Sequence, residues 1–542
     1  MNNHIQTQLH WVWAATAGWR SRIGISMILE IMSTVLQLFF VYFSKEAIDI
    51  ATGVAPGNLK MMLIYIVLSI VLSIALSLAA SWISEYVRNG LTMRLQNSLA
   101  HTQMMIAWGM KKRWHTGDLL VRLNTDCAEV VQMLVFTLPS LIVTGFKLIT
   151  ALAFLWAMDP LLAQLILTIT PLFLLSKIYY KKMRKINRDV KRAESNLGTV
   201  MQENLKNRPL IQALLFTQAR ERKLTEAQES FFEVKIKQLN FSTLSQGILK
   251  LTFNGGYLLA FLWGIYRLYT GLISYGTMVA FLQLVGRVQI PVFSIVGFLP
   301  AAIRFRTALE RLMELNTGER EDYRNPIRLA SPISLKINNI YFKYDELEVI
   351  RHLNVAFQSG QPTAILGASG KGKTTLIRLI LALIKPDSGS LTLIGHDGVS
   401  HEISVATRIN IAYVPQGNTL FFGTIRENLM LANARASEEQ IREALRIACA
   451  EFVYSLADGI DTMIGESGHG ISEGQAQRIA IARALLQGGS VWLLDEPTSA
   501  LDNDTIRQIL RNLLDAGKDK ILIFVTHDRY VETTCSQIVR LD

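Results

Sequence analysis

The chain has 542 residues, half of them apolar, with a formal charge of +11 and a mean hydropathy of +0.26. That length accommodates about two to four domains, and the long uninterrupted apolar runs place the chain among membrane proteins rather than soluble ones. Its three cysteines (Cys127, Cys449 and Cys535) stand far apart in no C-x-x-C spacing, which supports neither a disulfide framework nor a zinc site and fits a reduced compartment.

The opening stretch, residues 1–20, lacks an apolar core followed by a small-residue cleavage site, so it is expected to be a cytoplasmic lead-in rather than a signal peptide. Six apolar helices follow, over about 22–48, from 59 onward, over 129–158, 160–180, 244–269 and 275–303, with Asp159–Pro160 as the only break between the third and fourth. Each holds close to the ~20 apolar residues needed to cross a bilayer. The first-to-second and third-to-fourth connections are short and nearly free of Lys and Arg. The second-to-third and fourth-to-fifth are long and basic, with "KKRW" at 111–114 and "KIYYKKMRKINRDVKR" at 177–192. Basic loops mark the cytoplasmic face, so both termini and both long loops are expected there. Topology then accounts for most of the positive charge, and no aromatic-interleaved basic stripe argues for a nucleic-acid partner.

The second to fifth helices keep a helical pattern beyond their apolar cores, so they are expected to run ~20 or more residues past the membrane, to turns near 115–125 and 203–215. Within the apolar runs, Glu30, Lys147 and Arg287 stand out. Ionisable groups at that depth are costly; they face a cavity, pair with one another, or snorkel toward the interface. The membrane domain is expected over 1–320, and the polar, proline-bearing stretch 316–333 is read as a linker.

From 333 the pattern changes to strand, turn and helix. "PTAILG" (362–367) reads as a buried strand, "GASGKGKTT" (367–375) as a phosphate loop of the form G-x-x-x-x-G-K-[ST], and "LIRLILALI" (376–384) as the helix after it. In such a loop Gly367, Ser369, Gly370, Lys371, Gly372 and Thr375 belong to a backbone cradle for phosphates at a helix N-terminus. Lys373 would reach the β- and γ-phosphates and Thr374 would ligate Mg2+. "SVWLLDEPTSALD" (490–502) is an apolar strand ending in two acids: Asp495 is placed for Mg2+ and Glu496 as general base toward an attacking water. His527 follows a further apolar strand, "ILIFVTHD", where it could contact the γ-phosphate.

As a set, these motifs make residues 333–542 resemble the nucleotide-binding domain of ABC transporters, and the whole chain resembles an exporter-type half-transporter. In the family's order, "YFKYDE" offers Tyr344 as the aromatic that stacks on adenine and "YVPQGNTLFFGTIRENL" offers Gln416 as the Q-loop glutamine. "ISEGQ" (471–475) corresponds to the signature, "SALD" to the D-loop with Asp502, and His527 to the switch histidine. "DTMIGESG" (461–468) resembles the exporter loop before the signature, with Glu466 facing the membrane part. "HTGDLLVRLNTD" (115–126) resembles the stretch at the first coupling loop, and "YGTMVAFLQL" (275–284) the start of the sixth helix.

The resemblance implies a multidomain membrane protein: an all-α six-helix transmembrane domain over 1–320 and an α/β P-loop NTPase domain over 333–542. It implies ATP and Mg2+, with Thr374, Gln416 and Asp495 at the metal and Glu496, His527 and Gln416 at the chemistry. Because the signature of such a domain, here Ser472, Gly474 and Gln475, meets the nucleotide of a second domain, it implies a dimer with another copy of the chain or a related half-transporter. The function implied is ATP-driven export of a peptide, drug-like or lipid substrate by alternating access, in a bacterial inner membrane. The alternatives are an importer on the same scaffold and an ATP-gated channel; Glu496 and His527 argue against a binding-only switch.

Two departures from the family pattern carry expectations. Glu473 replaces the usual first signature glycine. A carboxylate within ~4 Å of a triphosphate would cost on the order of 4 kcal/mol at a surface-like dielectric. The cost shrinks if the side chain points to solvent, and an acid in a first helical turn suits the dipole; tolerance is therefore expected. Fifteen residues follow His527, fewer than the family usually carries, so the edge of the domain is expected to pack differently.

Overall fold

The computed structural model describes residues 2–108, 116–169, 176–329, 332–368, 370–465 and 470–541. Ser369 and Glu466 therefore lie outside the described residues. The chain divides into two compact units, one from residues up to 100 together with 116–315, the other from 101–108 together with 316–541.

The first unit is helical. After α1 (Asn2–Ala15) come α2 (Arg20–Ala51) and α3 (Leu59–Met105). α4 (Thr116–Val121) continues through a π-helical turn, α5 (Cys127–Gln132) and a second π-helical turn into α6 (Leu138–Met158). α7 (Pro160–Ile169), α8 (Ser176–Lys206), α9 (Arg208–Ala213), α10 (Thr217–Tyr269) and α11 (Tyr275–Leu315) complete it. Among the described residues, four helical runs are long and apolar enough to cross a membrane: Arg20–Ala51, Leu59–Met105, Gly117–Met158 and Thr217–Tyr269. α3 exposes Leu63, Ile64, Val67, Leu68, Val71 and Ile74, an apolar surface too continuous for water and suited to lipid. On the inward side Val41, Leu155, Leu162, Phe281 and Leu284 form a core shared by α2, α6, α7 and α11.

Polar side chains fix the turns. Asp159, almost fully buried, accepts from the Leu161 and Leu162 N–H groups at 3.0 and 3.1 Å and so caps α7. Its other oxygen pairs with Arg267 of α10 at 3.1 Å. The turn expected near 203–215 is there: α8 ends at Lys206, six-residue α9 follows, and Arg220 at the start of α10 reaches back to Asn204 and Glu203. The turn expected at 115–125 is not. α3 ends at Met105 and residues 116–126 are already helical. The charged residues of this stretch are used in packing: buried Arg122 bonds Asp118, Glu314 and the Arg311 carbonyl, while Arg311 pairs with Asp118 and Asp126. Sequence polarity alone does not reveal that α11 supplies the partners.

In the second unit, β1 (Pro332–Tyr344), β2 (Leu347–Gln358), β4 (Ser388–Gly395) and β5 (Ser400–Glu402) form an antiparallel sheet in the order β2-β1-β4-β5. A parallel sheet runs β11-β3-β10-β9-β6, from β3 (Thr363–Leu366), β6 (Ile411–Val414), β9 (Val491–Asp495), β10 (Ile521–Val525) and β11 (Gln537–Arg540). β7 (Gly423–Thr424) and β8 (Met463–Ile464) pair as a short ribbon. The helices are α12 (Lys373–Ile380), α13 (Ile425–Met430), α14 (Glu438–Ile447), α15 (Glu473–Gln487), α16 (Asn503–Ala516) and α17 (Arg529–Thr534). β9 and β10 are buried at every residue, as expected for parallel strands covered on both faces. Leu376, Leu493 and Ile523 pack on one side and Ile481, Leu494 and Phe524 on the other.

The short tail closes the sheet. β11 occupies the edge beside β3, and the Leu541 N–H donates to the Leu366 carbonyl at 2.9 Å. Part of the stretch read as a linker packs on this unit: Arg408 forks onto Glu321 at 2.7 and 3.0 Å, and Asn410 exchanges hydrogen bonds with Leu329 and Ile327.

Candidate active site

Four parallel strands end on one side of the sheet, where open α/β sheets place their ligands. The phosphate loop leaves β3, Gln416 follows β6, Asp495 ends β9 with Glu496 beyond it, and His527 follows β10. That topology gathers residues more than a hundred positions apart around a cavity of about 540 Å3. Its lining includes Tyr344, Gly367, Gly370, Gly372, Lys373, Thr374, Thr375, Gln416, Asp495, Glu496 and His527. Lys371, on the same loop, is exposed and is not among the lining residues.

Gly372 caps α12 in the left-handed region (φ +92°), and a Cβ there would come 3.0 Å from the Val349 carbonyl. The loop thus needs glycine for both its turn and its packing. Lys373 Nζ donates to the Gly367 carbonyl.

Glu496 is the hub. Gln416 Nε2 donates to its Oε2 at 2.7 Å, and His527 Nδ1 lies 3.3 Å from its Oε1. Its backbone is held in the left-handed region (φ +47°), sparsely populated for a residue with a side chain. Two bonds keep it there: its N–H donates to the Val525 carbonyl at 2.8 Å, and Gln477 Nε2 donates to its carbonyl at 2.6 Å. Gln477 is a residue of this site that the motif reading does not single out. Its signal was a polar side chain, 1 % exposed, beside Ala476 and Ala480 on the buried face of α15.

Asp495, 7 % exposed, has its carboxyl pushed up to about 6. Burial is the main cause, then the adjacent Glu496 charge, against partial relief from Lys373 and the Tyr413 hydroxyl. Two neighbouring carboxylates so incompletely neutralised, beside a threonine hydroxyl and a glutamine amide, are a donor set that fits a hard divalent cation.

A second missed residue is Arg378, the single charge within "LIRLILALI". Its Nη1 donates to the Tyr344 hydroxyl at 3.1 Å, and its guanidinium lies 4.5 Å from the Trp108 ring. The first contact holds the aromatic that lines the cavity, and the second steadies Arg378 itself.

The signature lies elsewhere. Ser472, Gly474, Gln475 and Asp502 are not among the lining residues of this cavity. Ser472 N-caps α15 in a reciprocal capping box: its Oγ accepts from the Gln475 N–H at 3.2 Å and its N–H donates to Gln475 Oε1 at 2.9 Å. "SEGQ" is an S-x-x-Q box, a signal present in the sequence. Asp502 likewise caps α16, accepting from the Thr505 N–H and hydroxyl. Glu473 is exposed in the first turn of α15. Gly474 faces the D-loop: a Cβ on it would lie 2.5 Å from the Ala500 carbonyl.

Two family models match the chain, the ABC transporter transmembrane region over residues 23–292 and the ABC transporter domain over 350–499. The chain belongs to the ABC transporter family. It is an ABC half-transporter, with one membrane region and one ATP-binding domain, and so an ATP hydrolase coupled to transport across a membrane. It is 25 % identical over 93 % of its length to the ATP-dependent lipid A-core flippase of Syntrophus aciditrophicus (strain SB), covering 85 % of that protein. It is also 25 % identical over 91 % of its length to a candidate multidrug export ATP-binding/permease protein of Staphylococcus aureus (strain NCTC 8325 / PS 47), again covering 85 %. A bacterial Atm1-family ABC exporter, solved with ATP bound, has the same fold: TM-score 0.78, 22 % identity, 97 % of this chain and 94 % of that one.

Proposed function

We propose that this chain pairs with a second copy of itself in a bacterial inner membrane, both termini cytoplasmic, and exports an amphipathic substrate by alternating access. The carrying observation is the division of the ATP machinery. Phosphate loop, carboxylates, Gln416 and His527 share one cavity, while the N-terminus of α15 stands outside it with the anion-favouring end of its dipole. A second copy, facing the first, would bring that end to the phosphates. One chain holds every group the reaction needs, which favours a homodimer. The alternation of bare and basic connections supports the orientation. The flippase and export functions named for the two relatives favour an amphipathic cargo.

The geometry supports the following roles. Tyr344, steadied by Arg378, offers a stacking face to adenine; Lys373 and the glycine-bearing loop hold the phosphates. Thr374, Gln416 and Asp495 would hold Mg2+, which supplies charge neutralisation at the phosphates when bound. Glu496, oriented by Gln416, His527 and Gln477, takes the proton of the attacking water. Nucleotide contacts made only in the paired state shift the population toward it, and their loss on hydrolysis reverses the shift.

The test is the ATPase rate of this chain alone in a lipid bilayer, with Glu496→Gln as the blank. Turnover present in the wild type and lost in the blank supports self-pairing into working sites. No turnover above the blank would reject the homodimer.

A further inference from the structure

A cavity of about 470 Å3 opens inside the membrane unit, between α2, α6 and α11. Glu30, Lys147 and Arg287 were expected either to face a cavity or to pair with one another, and the structure divides those outcomes. Glu30 pairs with Lys147 at 3.0 Å and accepts from Ser77 at 3.3 Å. Glu30 is not among the residues lining this cavity, whereas Lys147 and Arg287 are. The ionisable side chains that line it, among the described residues, are therefore both cations.

Their charges are not equally matched. Lys147 is neutralised by Glu30. Arg287 has a neutral partner, donating through Nη1 to Gln37 Oε1 at 3.0 Å, and no carboxylate of the described residues pairs with it. A guanidinium has five N–H donors in a fork suited to carboxylate or phosphate. Arg287 stands twelve residues into α11 and Lys147 eleven residues before the end of α6, ~18 and ~16 Å along those helices. Measured from those helix ends, both lie about half the thickness of a ~30 Å hydrocarbon layer deep, where an uncompensated charge is most costly. Gln283, Gly286 and Arg287 share one face of α11 at i, i+3 and i+4, and the Gln283 side-chain oxygen is buried without a partner.

Resting on the reading that the chain exports an amphipathic substrate, we propose that this cavity receives it and that the substrate is an amphipathic anion. Its phosphate or carboxylate binds Arg287, a neighbouring hydroxyl or amide donates to Gln283, and its apolar body lies along Leu38, Phe40 and Ile290.

The test uses the full chain in phosphatidylcholine nanodiscs and three probes with one tail: dodecyl phosphate, dodecyltrimethylammonium and dodecyl maltoside, with Kd read by thermophoresis. The expected result is that the phosphate binds at least tenfold tighter than the cation. Arg287→Gln closes that gap and Arg287→Lys keeps most of it. Gly286→Leu weakens all three probes, because a Cβ at Gly286 meets nothing within 4 Å and a longer side chain grows into the space. An unfolding temperature within about two degrees of wild type verifies that each variant is folded. Equal or tighter binding of the cation or the neutral probe overturns the anion assignment; if Gly286→Leu still blocks those probes, the cavity reading survives. Probes indifferent to Gly286→Leu overturn the cavity reading itself. Doping the discs with phosphatidic acid separates the sources: competition with dodecyl phosphate assigns the site to a membrane lipid, and none assigns it to a water-borne anion.

Discussion

Arg408→Met should strip the ATP-binding unit of much of its stability. Arg408 forks onto Glu321 at 2.7 and 3.0 Å, with the Glu321 side chain 7 % exposed, and donates to the Leu381 and Ala382 carbonyls at 2.7 and 2.9 Å. Those carbonyls follow α12, the helix that begins at the phosphate loop, so one side chain ties the linker to that helix's C-terminal end. Methionine keeps the apolar stem but leaves a buried carboxylate unpaired, which costs about 3–5 kcal/mol. For a unit of this size that lowers its Tm by roughly 6–20 °C. Glu321→Gln keeps the shape and a neutral hydrogen bond, and should cost only about 1–2 kcal/mol. Burial raises the Glu321 carboxyl, but the Arg408 and Tyr323 hydrogen bonds and the Arg408 charge outweigh it, and the net value lies below 4.5. The stability this group contributes is therefore present above about pH 4.5 and lost as pH falls through the lower folded value. Scanning calorimetry of the full chain at pH 7.5, 5.5 and 4 should show the wild-type advantage over Glu321→Gln shrinking only at the acid end. A fall of less than about 3 °C for Arg408→Met, or a gap unchanged down to pH 4, would refute the reasoning.

Glu473→Gly should change ATP turnover by less than tenfold, because the carboxylate is exposed in the first turn of α15; a larger rise would show that Glu473 obstructs the phosphate. Gln477→Ala should lower kcat by about tenfold to a hundredfold, the scale of small misplacements of a catalytic group, with KM for ATP within about twofold. An effect on KM alone would mean that Gln477 does not act through the Glu496 carbonyl. Arg378→Ala should do the reverse, raising KM for ATP several-fold with kcat nearly unchanged, since it steadies Tyr344 rather than Glu496. Fluorescent-ATP binding as strong as wild type would reject that role.

Motifs with fixed spacing were the legible part of this molecule. The phosphate loop, "LLDEP" and the strand before His527 fixed three strands and their carboxyl-end residues, because each combines a buried run with a turn at a set distance. What spacing cannot carry is partnership across the chain. Nothing in "HTGDLLVRLNTD" says that Arg122 and Asp118 will be met by Arg311 and Glu314, so a packed helix reads as the turn of a coupling loop. Arg378 and Gln477 were missed for the same reason, since each acts on a residue more than fifteen positions away. Glu30 and Lys147 were visible as costly charges, but only the structure could pair them and leave Arg287 as the cation matched by a neutral amide.

The signature shows how one glycine can answer to two constraints. Read as sequence, Gly474 is the residue that lets a phosphate approach and Glu473 the residue that threatens it. In the structure Gly474 also packs against the Ala500 carbonyl, so the start of α15 and the "SALD" segment are in van der Waals contact. Ser472 caps α15 and Asp502 caps α16, which leaves two helix N-termini side by side with their capping side chains already committed. What such a pair can present to an incoming anion is backbone N–H groups and dipole more than side-chain functionality. The pairing proposed above therefore predicts that a glutamate is tolerated beside Gly474: a group exposed in the first turn leaves the backbone surface intact, whereas any side chain at Gly474 would push the two loops apart.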